Sequence, residues 1–238
     1  MREIVTLSGD AFDQMKPLNG QIIVYPEQDV ENIVVGGQKL FFDGTWKPEN
    51  NQRVLNRVIK VPDAENYSTA EFISEILVSP GDLVWVNYYQ IMHATEIRVV
   101  DKDKDGVKVY LSVCYRHCFM SLSEAGEDVG VPYTYQMLND YVMLKPAIIE
   151  ETSPLVPDTL RKKESKLFYQ IERLPFPGSY DYKKELFPPI EAYPGQIAYL
   201  FDENQFKLEH PPHYVYDNSV HYVTRIQKIM AIVDEAMY

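Results

Sequence analysis

Ser79-Pro80-Gly81-Asp82-Leu83-Val84-Trp85-Val86 occurs a second time as Tyr193-Pro194-Gly195-Gln196-Ile197-Ala198-Tyr199-Leu200, at an offset of 193 − 79 = 114 residues. Each copy is a Pro-Gly turn, one polar residue and then a run with apolar residues on both faces. Proline sets φ at about −65° and glycine supplies positive φ, so the pair makes a tight turn that launches a strand. One such turn is common. A matched pair calls for the rest of a repeated unit.

Three further segments recur in the same order. Leu18-Asn19-Gly20-Gln21-Ile22-Ile23-Val24-Tyr25-Pro26 matches Leu138-Asn139-Asp140-Tyr141-Val142-Met143-Leu144-Lys145-Pro146, at 138 − 18 = 120. Val58-Ile59-Lys60-Val61-Pro62 matches Ile171-Glu172-Arg173-Leu174-Pro175, at 171 − 58 = 113. Phe119-Met120-Ser121-Leu122 matches Ile229-Met230-Ala231-Ile232, at 229 − 119 = 110. The chain thus reads as a tandem duplication of a unit of roughly a hundred residues, with indels confined to loops. The expected organisation is an N-terminal arm at 1–15, a first repeat at 16–123, a linker at 124–135 carrying Gly126, Gly130 and Pro132, and a second repeat at 136–238.

Within the repeats, strands are expected over Lys16–Pro26, Val54–Val61, Leu83–Tyr89, Ile91–Val99 and Val107–Val113, with the second unit following the same plan. Pro26 closes the first strand because proline cannot donate to a ladder. Glu27–Gln52 is too long for a hairpin turn, and loops of that length are usually functional or disordered. Asp63–Leu77 reads as a variable insert, and the second unit has loops at 147–165 and 176–192. Short strands, Pro/Gly turns and no sustained helical period give an all-β fold of barrels or sandwiches. Ile22, Val24, Val58, Leu83, Trp85, Val142, Leu144, Ile171, Ile197 and Tyr199 are the expected core.

Composition agrees with two modest cores: 238 residues, 45% apolar and 13% aromatic, with 18 tyrosines that favour strands. The net charge of −12 with no basic cluster argues against nucleic acid, whose binding rests on neutralising phosphates. No window approaches the roughly eighteen apolar residues of a membrane span. Met1-Arg2-Glu3-Ile4-Val5 lacks the apolar core of a signal peptide, and two cysteines make no disulfide framework, which points to the cytoplasm.

Catalytic and metal motifs fare poorly. Asp101-Lys102-Asp103-Lys104-Asp105-Gly106 imitates the start of an EF-hand loop, but its twelfth position is Ser112 rather than a bidentate Glu. Cys114, His117 and Cys118 are soft ligands close together, one short of a structural zinc site. Phosphate-binding glycine loops, a nucleophile elbow and a dinucleotide fingerprint are absent. The expectation is a non-enzyme without cofactor or metal.

Order and spacing together resemble the GroES-type co-chaperonins, over most of residues 16–122 and 136–236. Lys16-Pro17-Leu18 with Ile22-Ile23-Val24 resembles the family's opening strand, and Pro80-Gly81-Asp82-Leu83-Val84 its Val-Gly-Asp-x-Val strand. Ile229-Met230-Ala231-Ile232-Val233-Asp234 resembles its C-terminus. Its mobile loop is echoed by Gly36-Gly37-Gln38-Lys39-Leu40-Phe41-Phe42-Asp43 in the first repeat. In the second the echo is Ser153-Pro154-Leu155-Val156-Pro157-Asp158-Thr159. The chain departs from the family at Gln38-Lys39, at Ser153-Pro154 in place of Gly-Gly, and at Pro62 and Pro175. These changes and the fused double unit look more like a viral (phage) member acting in a host cytoplasm.

The resemblance implies two tandem GroES-like small β-barrels and a homo-oligomeric ring that caps a GroEL-type chaperonin. The anchors would be Gly36, Gly37, Leu40, Phe41 and Phe42 in one loop, and Leu155, Val156 and Pro157 in the other. It further implies that Phe119–Leu122 pairs with Leu138–Leu144 inside the chain, and that Leu18–Val24 pairs with Ile229–Val233 of a neighbour. In the competing reading these apolar loop residues fold back onto their own barrels. The protein is then a structural or virion-assembly component that kept the barrel and does not bind a chaperonin.

Overall fold

The computed structural model describes residues 3–27, 32–35, 38–41, 55–100, 106–124, 133–150, 162–182, 191–200, 213–216 and 219–233. The chain is all-β. In order, it runs through β1 (Ile4–Ser8), α1 (Gly9–Gln14), β2 (Gln21–Pro26), β3 (Asn32–Val35), β4 (Gln38–Phe41) and β5 (Leu55–Lys60). Next come β6 (Asn66–Ser68), β7 (Phe72–Glu75), β8 (Leu83–Val86), α2 (Tyr88–His93), β9 (Thr95–Val100), β10 (Val107–Cys114), β11 (Cys118–Glu124) and β12 (Tyr133–Met137). The remaining strands are β13 (Tyr141–Glu150), β14 (Lys162–Arg173), β15 (Tyr180–Tyr182), β16 (Ile197–Leu200), β17 (His213–Tyr216), β18 (Ser219–Arg225) and β19 (Ile229–Val233). No helix of the described residues is long and apolar enough to cross a membrane.

Contacts divide the chain into two units, Met1–Asn139 with Phe176–Leu186, and Asp140–Pro175 with Phe187–Tyr238. The main sheet of the first has the order β1-β9-β10-β2-β5-β8-β11-β12, and that of the second β17-β18-β13-β14-β16-β19. The five strands β10-β2-β5-β8-β11 and the five strands β18-β13-β14-β16-β19 repeat one another in order and register. Val24 lies opposite Leu111 and Val58, and Leu144 opposite Tyr222 and Ile171. A bulge falls between Ile23 and Val24 in one sheet and between Met143 and Leu144 in the other.

The Pro-Gly turns are equally alike. Gly81 and Gly195 hold φ of 103° and 93°, which only glycine adopts without strain. The Gly81 N–H donates to the Val58 carbonyl and the Gly195 N–H to the Ile171 carbonyl, both at 2.8 Å. Asp82 turns its carboxylate back to accept from the Ser79 N–H at 2.7 Å, and Gln196 accepts from the Tyr193 N–H at 2.8 Å. A short acceptor side chain after the glycine closes each turn.

The first unit buries Ile22, Val24, Val58, Val84, Val86, Leu111, Val113, Tyr115, Cys118 and Leu138 in one cluster. On the other side of β2, Phe12 of α1 packs with Ile23, Ile97 and Val99 and stacks on Tyr110 at 4.5 Å. The segment expected as an arm thus carries β1, paired in parallel with β9, and a helix capped by Ser8, whose hydroxyl accepts from the Ala11 N–H.

Several expectations are corrected. Residues 63–77, read as an insert, contain β6 and β7, which join β15 in a three-stranded sheet. There Phe72 is buried beside Tyr180 and Tyr182, with the Arg116 guanidinium 3.3 Å from its ring centre. Residues 88–93, expected as strand, form α2, because Asn87 caps it by accepting from the Tyr89 N–H. In β8 the buried residues are Val84 and Val86, while Leu83 and Trp85 are half-buried. Tyr199 is likewise half-buried, beside buried Ala198 and Leu200. Apolar residues on both faces of a strand leave its phase undetermined by pattern.

The last strands match at 229 − 118 = 111, one residue away from the sequence alignment. Cys118 pairs with Val86 and Ile229 with Leu200, each just before a one-residue slip. The partner of β11 is β12, a hairpin neighbour, and of Leu138–Leu144 it is Leu138 that reaches it, its N–H donating to the Phe119 carbonyl at 3.0 Å. Leu144 and its neighbours in β13 pair with β14 and β18 instead. Within Leu18–Val24, residues Gln21–Val24 are not an open edge, since β2 lies between β10 and β5.

Candidate functional site

The two candidate loops leave the repeated sheet at the same joint. The first connects β2 to β5, and the second connects β13 to β14, the equivalent strands of the other unit. Both joints carry a proline, with Pro26 opposite Asn56 and Pro146 opposite Tyr169. Proline lacks a donor, so it weakens the ladder at the end of β2, and a bulge falls next to Pro146 within β13.

The stem of the first loop is held by Arg57, whose Nε donates to the Glu27 carboxylate. Its Nη1 donates to the Gly81 carbonyl at 3.0 Å, tying the stem to the Pro-Gly turn. The Glu27 N–H donates to the Leu55 carbonyl at 3.1 Å. Beyond the stem, β3 and β4 form a sheet of their own, with Asn32 opposite Phe41, Ile33 opposite Leu40 and Val35 opposite Gln38. The expected anchors Leu40 and Phe41 therefore sit on the outgoing strand of a hairpin. Gly36, Gly37 and Phe42 lie outside the described residues.

The second stem is longer. After the bulge near Pro146, pairing resumes at Ile148 opposite Glu164 and runs to Glu150 opposite Lys162. Ser165 shapes the bulge, its hydroxyl accepting from the Leu167 and Phe168 N–H groups at 3.2 and 2.9 Å. The expected anchors Leu155, Val156 and Pro157 lie outside the described residues.

The soft-ligand cluster is a core feature. Cys118 is buried, and burial pushes its thiol well above the ordinary range, which leaves it a poor nucleophile and ligand. Cys114 is half-buried and free. Among the described residues no group of three or more His, Cys, Asp or Glu is placed to hold a metal ion. The run Asp101–Asp105 lies outside the described residues.

Asn19 and Asn139, matched in the repeat, both have positive φ. Asn139 is buried, and its amide nitrogen donates to the carbonyls of Tyr115 and Cys118, both at 2.9 Å. An asparagine at the turn of a repeated Leu-Asn pair was the available signal, since asparagine tolerates the left-handed region better than other non-glycine residues.

No family model matches the chain, and no curated protein matches it.

Proposed function

We propose that the chain is a GroES-type co-chaperonin, a lid that caps a GroEL-type chaperonin through its two loops and assists folding without catalysis of its own. The observation that carries this reading is the joint: two loops with apolar tripeptides leave the same pair of strands in two copies of one sheet. The separate pairing of β3 with β4 also supports it, because the loop stem holds a hairpin that joins no other described sheet.

The energetics call for several copies. Burying a Leu, Val or Phe yields about 1.5–3 kcal/mol, while ordering a loop costs roughly 2–5 kcal/mol. One loop binds weakly on these figures. An oligomer that presents many loops together gains through effective concentration. The experiment is capture of a bacterial chaperonin on the immobilised protein, with and without nucleotide. The reading expects capture of the nucleotide-loaded form, and capture of neither form overturns it.

A further inference from the structure

We propose that β1 is a docking edge for an extended polypeptide, a short apolar segment flanked by lysine or arginine that adds a strand beside it. β1 ends the eight-stranded sheet, and among the described residues no strand lies along its outer side. Its parallel pairing with β9 fixes which backbone groups are open. The Glu96 N–H donates to the Glu3 carbonyl at 2.8 Å, so the peptide groups of Glu3, and by alternation those of Val5 and Leu7, turn inward to β9. Those of Ile4 and Thr6, with the N–H of Ser8, turn outward. The Ser8 carbonyl serves α1, which Ser8 caps.

Open edges are usually blunted by a charge, a proline, a bulge or shortness. β15 carries Asp181, and β6 is three residues long. β1 has no such guard. Ile4-Val5-Thr6-Leu7-Ser8 is uncharged and pairs with β9 over five residues without a slip. Ile4 is 50% and Val5 37% exposed, on opposite faces of the strand. On the Val5 face, Leu7 packs with Phe12, Ile97 and Val99, so an added strand extends a core that already exists. In strand addition the backbone supplies affinity and alternate side chains supply selectivity, which here favours apolar and β-branched residues.

The ends of the edge name the flanks. Glu3 lies just before β1, and Asp10 lies in the first turn of α1 just after it, both exposed. Carboxylates at both ends attract a cation at each end of the guest. The same charges disfavour a second copy. Antiparallel pairing about Thr6 matches all five residues of two β1 strands. It also sets Glu3 of one copy opposite Gly9 of the other, beside its Asp10, so like charges meet at both ends. A net charge of −12 on each copy adds to that repulsion. This edge uses neither loop and needs no chaperonin.

The probe is a fluorescein-labelled peptide with blocked ends, Lys-Lys-Val-Thr-Val-Thr-Val-Lys-Lys, titrated with the full chain and followed by anisotropy. Saturable binding is expected. N-methylation of every Val and Thr keeps side chains and charge but removes the N–H donors, and is expected to abolish it. Thr6→Pro is expected to weaken binding about tenfold through the lost outward N–H. Proline is tolerated where an edge N–H faces solvent. The thermal midpoint checks that variant's fold, and the N-methylated peptide makes the same test on wild-type protein. Glutamate in place of each lysine is expected to abolish binding to wild type, and Glu3→Lys with Asp10→Lys to reverse that preference. No binding, binding that survives N-methylation, or a preference that does not reverse overturns the proposal. So does a dimer of the wild-type chain alone that Thr6→Pro abolishes, since the edge is then taken by a second copy.

Discussion

Asn19 and Asn139 share a left-handed backbone at matching places in the repeat, but Asn139 is buried on the Tyr115 and Cys118 carbonyls while Asn19 faces solvent. The same turn is a core fastener once and a surface feature once.

Asn139→Gly keeps the turn and strips two hydrogen bonds from buried carbonyls. It is expected to lower stability by about 1–3 kcal/mol. Asn19→Gly is expected to stay within about 0.5 kcal/mol of wild type. Urea denaturation of the dilute protein ranks the two, and equal losses contradict the assignment.

Gly81→Ala and Gly195→Ala are expected to cost about 1–2 kcal/mol each, the strain of positive φ alone. An added Cβ meets nothing within 4 Å at either site. Gly20→Ala is expected to cost more, because its Cβ falls 1.9 Å from Tyr67 Cδ2. Tyr67→Ala relieves that clash and brings the double variant's backbone cost down to the level of the other two. Thermal midpoints of these four variants, with Tyr67→Ala alone as the reference for the double variant, check the order.

Alkaline pH is expected to unfold the protein through Cys118 and Tyr115. Burial raises the Cys118 thiol above its ordinary 9.0, and raises the Tyr115 phenol above 10.0. Above these values the unfolded chain releases protons that the folded chain retains, so it binds fewer and stability falls as pH rises. The decline is expected to start near pH 9 and to approach roughly 1.4 kcal/mol per pH unit for each group. In Cys118→Ala the onset moves towards pH 10. An unchanged onset contradicts the part given to Cys118.

The strand plan was legible because the Pro-Gly turns and the Leu-Asn pairs are backbone requirements, which survive when surrounding side chains change. What was lost has specific causes. The slip at Cys118 and Ile229 is hidden because a bulge adds a residue without a sequence mark, and Ile229-Met230-Ala231-Ile232 offers two apolar alignments. The phase of β8 was hidden by Leu83-Val84-Trp85-Val86, where every residue is apolar. The sheet of β6, β7 and β15 was illegible because Phe72 pairs with Tyr182, more than a hundred residues along the chain, and no local pattern announces such a partner. Of the candidate site, the loops' place between equivalent strands was legible, but the hairpin of β3 and β4 was not, because Glu27–Gln52 was read as one long loop.

The central claim is that the loops are anchors for a chaperonin, and the most direct measurement is the double variant Leu155→Asp with Val156→Asp, followed for thermal midpoint and chaperonin capture together. As anchors, these side chains are free of the core, so the midpoint is expected to hold within about 0.5 kcal/mol. Capture of the nucleotide-loaded chaperonin is expected to vanish, because carboxylates in an apolar groove cost several kcal/mol per loop, on the order of 2–7 for an unpaired polar group. The matching variant Leu40→Asp with Phe41→Asp is expected to weaken capture less, given Gln38-Lys39 where the family has aliphatic residues. A protein that unfolds early yet captures the chaperonin as tightly as wild type would contradict the account.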